Sequence, residues 1–237
     1  MNNGFYINID LFFSLGNKTT ELENFRGLEV KKFVPVGSLF MESKWFFTKR
    51  MDVPKYDILN ICSSNLLNFS THESYELDYY EHYQWMAKIS SEFPELKIAL
   101  KYPAGYKVID KKEMEIIKNT GIERVTTGVG RENYSYGYAQ KAKFICAWNS
   151  TVIYEMLGHN KVGFFLDPGG RNTVWLHKNK YNDPWRLKSY EEFKKKVEDI
   201  LFSNKKIRIE NGQNFCIDSN NVSKKISENL LNYVGVA

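Results

Sequence analysis

Cysteine is scarce: three residues in a chain of 237, Cys62, Cys146 and Cys216. Each lies in an apolar, strand-like run far from the other two. That is the pattern of buried reduced thiols, and it excludes a disulfide frame or a cysteine metal site. The four histidines, at positions 72, 82, 159 and 177, stand at no metal-ligand spacing, and no D-x-D element is present. The chain is therefore expected to use neither a metal nor a cofactor. No apolar run approaches the roughly 20 residues that span a bilayer. The opening MNNGFYINIDLFF has no basic n-region and no small-residue cleavage site, so no signal peptide is expected and the chain reads as cytoplasmic. A glycine-rich dinucleotide fingerprint is missing too. Gly128-Val129-Gly130 lacks the third glycine at its offset, which argues against a nicotinamide or flavin site. The net charge of +5 is spread over lysine-rich helix faces such as residues 193–197. No concentrated basic stripe with interleaved aromatics is present, so nucleic acid is not an expected partner. Anionic ligands or peripheral contact with an acidic membrane face remain compatible with this charge.

What is present centres on residues 144–170, FICAWNSTVIYEMLGHNKVGFFLDPGG from Phe144 to Gly170. Phe144 to Trp148 is a run short enough for a buried strand. Asn149-Ser150-Thr151 supplies the small polar side chains that cap a helix. Val152 to Leu157 continues as that helix, and Gly158 ends it. Val162 to Leu166 is a second buried strand, and Asp167-Pro168-Gly169-Gly170 is a loop. A strand that delivers Ser-Thr to a helix start aims free backbone N–H groups, the helix dipole and two hydroxyls at one place, which suits an anion.

The rest of the chain alternates in the same way. Strand-like 5–13, a helix over 19–25 with Thr20 and Glu23 in capping-box spacing, and strand 30–36 form a small unit that Gly37-Ser38 turns into residues 39–45. Residues 49–55 read as a linker. Strands follow at 58–62, 96–100 and 125–127, and helices at 74–93, 111–119, 134–143, 189–202 and 221–233. Ser189 and Glu192 form another capping box. This order predicts an α/β fold: a Rossmann-like parallel sheet with helices on both faces, plus a small N-terminal β-α-β remnant. Ligands in such a sheet bind at the carboxyl ends of the strands. Three polar turns converge there: Ser63-Ser64-Asn65, Lys101-Tyr102-Pro103 and Asn149-Ser150-Thr151.

Four segments carry a family resemblance: residues 33–38 (FVPVGS), Lys101-Tyr102-Pro103, Asn149-Ser150-Thr151-Val152 with Glu155, and residues 215–218 followed by Asn221-Val222-Ser223. Together, in this order and spacing, they resemble the C-terminal nucleotide-binding lobe of GT-B glycosyltransferases of bacterial surface-carbohydrate biosynthesis, the capsule and lipopolysaccharide type. The V-G-S segment looks like the lobe junction, and Ser-Thr with Glu155 looks like the S-T-x-x-x-E element. Tyr102 replaces the histidine of an H-P turn, so it brings a hydrogen bond but no positive charge. The resemblance implies residues 1–52 as the tail of an acceptor lobe plus linker, and 53–237 as the nucleotide-sugar lobe. It also implies a longer enzyme, a split gene product or a truncated relative.

The implied activity is metal-independent transfer of a sugar from a nucleotide-sugar to a growing surface polysaccharide. A glycan or lipid-linked acceptor and contact with the inner membrane face go with it. The alternatives are a non-catalytic nucleotide-sugar-binding or scaffold module that partners a transferase, and a sugar-nucleotide epimerase, which shares the two-lobe architecture. Candidate donor and phosphate contacts are Lys101, Tyr102, Asn149, Ser150, Thr151, Glu155, Gly169, Gly170 and Arg171, with Ser63, Ser64 and Asn65 as loop contacts. Each has a plainer reading. Ser150 and Thr151 serve as ordinary caps, Glu155 as a surface carboxylate, Lys101 as a solvated strand end and Tyr102 as a packing aromatic. The glycines serve as a Pro-Gly turn and Ser63-Ser64-Asn65 as a plain turn. His159 reads as a helix C-terminal residue. No general base is assigned.

Overall fold

The computed structural model describes residues 7–17, 28–42, 52–63, 73–105, 110–128, 134–170, 185–203, 207–210, 212–217 and 219–235. The expected helix over 19–25 and residues 49–51 of the linker lie outside these residues. So do Ser64, Asn65 and Arg171.

Two parallel strands, β1 (Ile7–Ser14) and β2 (Leu28–Pro35), form a small sheet of their own. Residues 39–42, which follow the Gly37-Ser38 turn, are helical. The main body is a six-stranded sheet of β3 (Ile58–Ile61), β4 (Ile98–Lys101), β5 (Glu123–Val125), β6 (Phe144–Ala147), β7 (Gly163–Leu166) and β8 (Arg186–Leu187). Its order is β5-β4-β3-β6-β7-β8, and every pairing is parallel. The helices are α1 (Glu73–Glu92), α2 (Lys111–Ile117), α3 (Tyr134–Lys141), α4 (Thr151–Gly158), α5 (Tyr190–Val197) and α6 (Val222–Val234). The sheet is thus α/β and Rossmann-like, as its strand sequences require. β3, β4, β6 and β7 are buried at every position, so both faces must be covered by helices.

The helices supply that cover. On one face, α1 packs Tyr79, Tyr80 and Tyr83 with Trp148, Tyr102 and Cys62. α4 buries Ile153, Tyr154, Met156 and Leu157, and its Tyr154 ring lies 4.7 Å from that of Phe165 in β7. The small sheet has a minor core of Val34, Val36 and Val222, with Leu11, Phe13 and Ile226 against it. The segment 212–217 ties the two sheets. Ile217 N donates to Leu15 O at 2.9 Å. On its other side the chain passes so close to α4 that a Cβ on Gly158 would sit 2.1 Å from Cys216 O. Among the described residues no helix is long and apolar enough to cross a membrane.

Candidate functional site

Strand order decides where the site falls. From β3 the chain moves outward to β4 and β5, then returns to place β6 on the other side of β3. The crevice between the carboxyl ends of β3 and β6 is therefore the topological switch point, where ligands of such sheets bind. Ser63, after β3, donates its hydroxyl to Asn149 O, after β6, at 3.0 Å. This bond joins two of the three predicted turns. Ser150 has extended backbone, φ −158° and ψ 129°, and its Oγ accepts from Val152 N at 3.4 Å. It is a helix N-cap. Asn149 and Ser150 are half-buried and Thr151 is exposed. The Val152 and Ile153 amides are taken up by Ser150, so the first turn of α4 presents its dipole and the Thr151 amide and hydroxyl at the switch point, which suits a phosphate.

The third turn behaves differently. Lys101 is buried, not solvated. Its ammonium donates to Tyr102 O and to Thr127 Oγ1, the latter at 3.3 Å. Burial strips water from the charged form and pulls the amine down to about 8. Tyr102 is only 1% exposed, and its hydroxyl donates to Glu113 Oε1. A ring so placed offers no face to a base and no free hydroxyl to a phosphate, so the packing reading describes its position. Glu113, which sequence reasoning passed over, is fully buried in α2 and also accepts from Tyr79 OH at 3.2 Å. Burial raises its carboxyl, and the surrounding phenols partly offset the rise. Its only sequence signal is an acidic residue in the first turn of a helix that Asp110 caps.

Glu155 is not a surface carboxylate; it is 5% exposed. Ser38 Oγ donates to Oε1 and Tyr136 OH to Oε2, each at 2.5 Å. Burial raises its carboxyl above the usual range, and the two hydroxyls oppose the rise. Ser38 belongs to the V-G-S segment, so the predicted junction is tied to α4 directly. Ser38 N donates to Ser219 Oγ at 3.1 Å. His159 follows α4 as its C-cap and lies 3.3 Å from the same Ser219 oxygen. The site thus rests on a polar knot drawn from four separate stretches of chain.

The Asp167 loop is a single 3-10 turn over Pro168–Gly170. Gly170 has φ +64° and donates its N–H to Asp167 O at 2.9 Å. That left-handed backbone is where glycine costs least. Asp167 is buried and paired with Arg186 Nη1 at 3.2 Å. Arg186 gave no signal in the sequence beyond ending a polar loop. The three cysteines are free and buried. Desolvation pushes Cys62 up to about 12 and Cys216 up to about 11, which leaves neither as a thiolate at neutral pH. Among the described residues no group of three or more His, Cys, Asp or Glu side chains is placed to hold a metal.

No family model and no curated protein matches the chain. Among solved structures, the S. aureus MnaA–UDP co-structure is similar, with a TM-score of 0.58 at 15% identity. The match covers 96% of this chain and 60% of that one, so the chain spans about three-fifths of its neighbour's length. At this identity the likeness shows the fold. The chain has the α/β architecture of a GT-B-like, Rossmann-type lobe.

Proposed function

We propose that this chain binds a nucleotide-sugar at the β3/β6 switch point and serves as the donor half of a metal-independent glycosyltransferase of bacterial surface-polysaccharide assembly. The observation that carries the reading is the convergence of Ser63, Asn149 and the capped start of α4 where the strand order reverses. The UDP held by the similar S. aureus structure supports it. In this reading the leaving diphosphate lies against the N-terminal end of α4 and the Thr151 hydroxyl. Together they stabilise the charge that develops as the glycosidic bond breaks, while Lys101, buried in the strand beside β3 with its ammonium held by Tyr102 O and Thr127 Oγ1, adds only the field of its charge. The base that deprotonates the acceptor hydroxyl comes from an acceptor lobe, of which residues 1–52 are the tail, while 53–237 form the donor lobe. The acceptor is a glycan or lipid-linked chain met at the inner face of the membrane.

Calorimetric titration of the purified chain with UDP, CDP, GDP and CMP sugars tests this. One nucleotide is expected to bind, and the double variant Ser150→Ala, Thr151→Ala to weaken it about tenfold, the loss of one or two polar contacts. Absence of binding by all four, or indifference to the double variant, would end the proposal. A second reading, a non-catalytic binding module, is favoured by Glu113 and Glu155, whose carboxylates are already engaged by hydroxyls in the interior. Transferase assays with the chain alone and with an acceptor lobe separate the two. Product analysis of the donor without acceptor reveals an epimerase.

A further inference from the structure

Arg186 carries a buried nitrogen with nothing to bind among the described residues. The residue is 8% exposed. Its Nη1 pairs with Asp167, but Nη2 is buried and has no hydrogen-bond partner among the described residues. A desolvated guanidinium N–H without an acceptor is costly, and native structures rarely leave one without a ligand or water to explain it.

Its position gives the explanation. Arg186 pairs with Phe165 in the β7–β8 register, so both side chains point to the same face of the sheet. Its guanidinium carbon lies 5.4 Å from the centre of the Phe165 ring. Tyr154, in the first half of α4, packs on that ring too. Arg186 therefore stands on the α4 face, near the carboxyl edge. There Asp167 begins the Pro168–Gly170 turn and holds the guanidinium in place. The stem of Lys188 crosses the same turn, since a Cβ on Gly170 would meet its Cδ at 3.3 Å. Two cations thus flank one turn that carries one carboxylate. Two strand spacings, about 10 Å, separate β6 from β8, within the span of a nucleoside diphosphate.

We propose that Arg186, braced by Asp167, is a second anion contact of the site and takes the terminal phosphate of a nucleoside diphosphate whose inner phosphate lies at the α4 N-terminus. The fork geometry of a guanidinium suits this division of labour, with one edge held by a carboxylate and the other left for a phosphate oxygen. The identity of the ligand rests on the nucleotide-sugar reading above; the anion contact does not.

The test compares UDP, UMP and inorganic pyrophosphate on the whole chain by calorimetry. Arg186→Met is expected to weaken UDP about tenfold, the worth of a charge-assisted contact, while UMP changes less than about twofold. Because Arg186→Met strands the Asp167 charge, the double variant Asp167→Asn, Arg186→Met is measured beside it. Its thermal midpoint shows whether loss of binding is loss of fold. The nitrogen-15 signals of the Arg186 guanidinium are expected to shift on adding UDP and not on adding UMP. Equal weakening of UDP and UMP, or an unmoved guanidinium signal, overturns the proposal. If UDP does not bind the unmodified chain, the nucleotide reading falls and pyrophosphate decides the anion contact. Pyrophosphate binding that Arg186→Met abolishes sustains that contact, and anything else refutes it.

Discussion

Glu155 shows how far the place of a single side chain can lie from the surface position that its plainer reading gives it. The helical period set it one turn after Thr151, and that holds. Its neighbours come from 117 residues upstream and 19 residues upstream, Ser38 and Tyr136, and no local pattern announces either. A carboxyl whose folded value is raised binds its proton more tightly in the native state than in the unfolded chain. Glu155 therefore costs stability where it is ionised, and that cost disappears as pH falls through its raised value toward the ordinary carboxylate range. Glu155→Gln keeps an acceptor and removes the charge. We expect thermal midpoints to show the variant gaining on the unmodified chain near pH 7.5, with the gap closing as pH approaches 4.5. An equal gap at both pH values would mean that Glu155 is not the titrating group. Tyr102 teaches a related lesson. It was legible as the residue after a strand end, but its burial against Glu113 depends on the position of α2.

At the scale of elements most of the structure was legible, because period and caps are local. Apolar runs of four or five residues marked β3, β4, β6 and β7. Ser189 caps α5 as its spacing implies, with Oγ accepting from Glu192 N at 3.2 Å. The reciprocal half of the box differs. Glu192 accepts from Lys188 N at 2.7 Å and not from the cap residue itself. Gly158 ends α4 as expected, but the reason is contact; the left-handed residue that follows the helix is Asn160, with φ 59°. The C-terminal segment lies against it, and a side chain there would collide with the Cys216 carbonyl. Gly158→Ala is expected to cost about 3 kcal/mol, the upper range for overpacking a close contact. Urea denaturation measures the loss, and limited proteolysis should show residues 207–219 cleaved first. A variant as stable as the parent would show that the segment shifts aside without cost.

For the whole molecule, cooperativity should follow sheet size. The six-stranded sheet buries its central strands completely, while β1 and β2 pair only with each other among the described residues. A two-stranded sheet is marginal without further packing. Here it leans on Val222 of α6 and on the tie from Ile217 to Leu15. Hydrogen exchange followed by mass spectrometry should find β3 and β6 slowest, and β1 and β2 exchanging earlier, as a separate unit. Addition of a bound nucleotide should slow the first turn of α4 before it slows β1. Uniform protection across both sheets would contradict the division.

The amino-acid sequence by itself determined the alternation of strands and helices, the parallel character of the sheet and the cap that opens α4. Those depend on residues within one or two turns of each other. Only the tertiary structure decided the strand order, and with it the switch point that sets Ser63 against Asn149 across 86 residues. It also decided which polar side chains face inward: Tyr102 to Glu113, Glu155 to Ser38 and Arg186 to Asp167. Period says which face of an element is apolar, but not which element that face will meet. The buried polar pairs that shape this site are made entirely by such meetings.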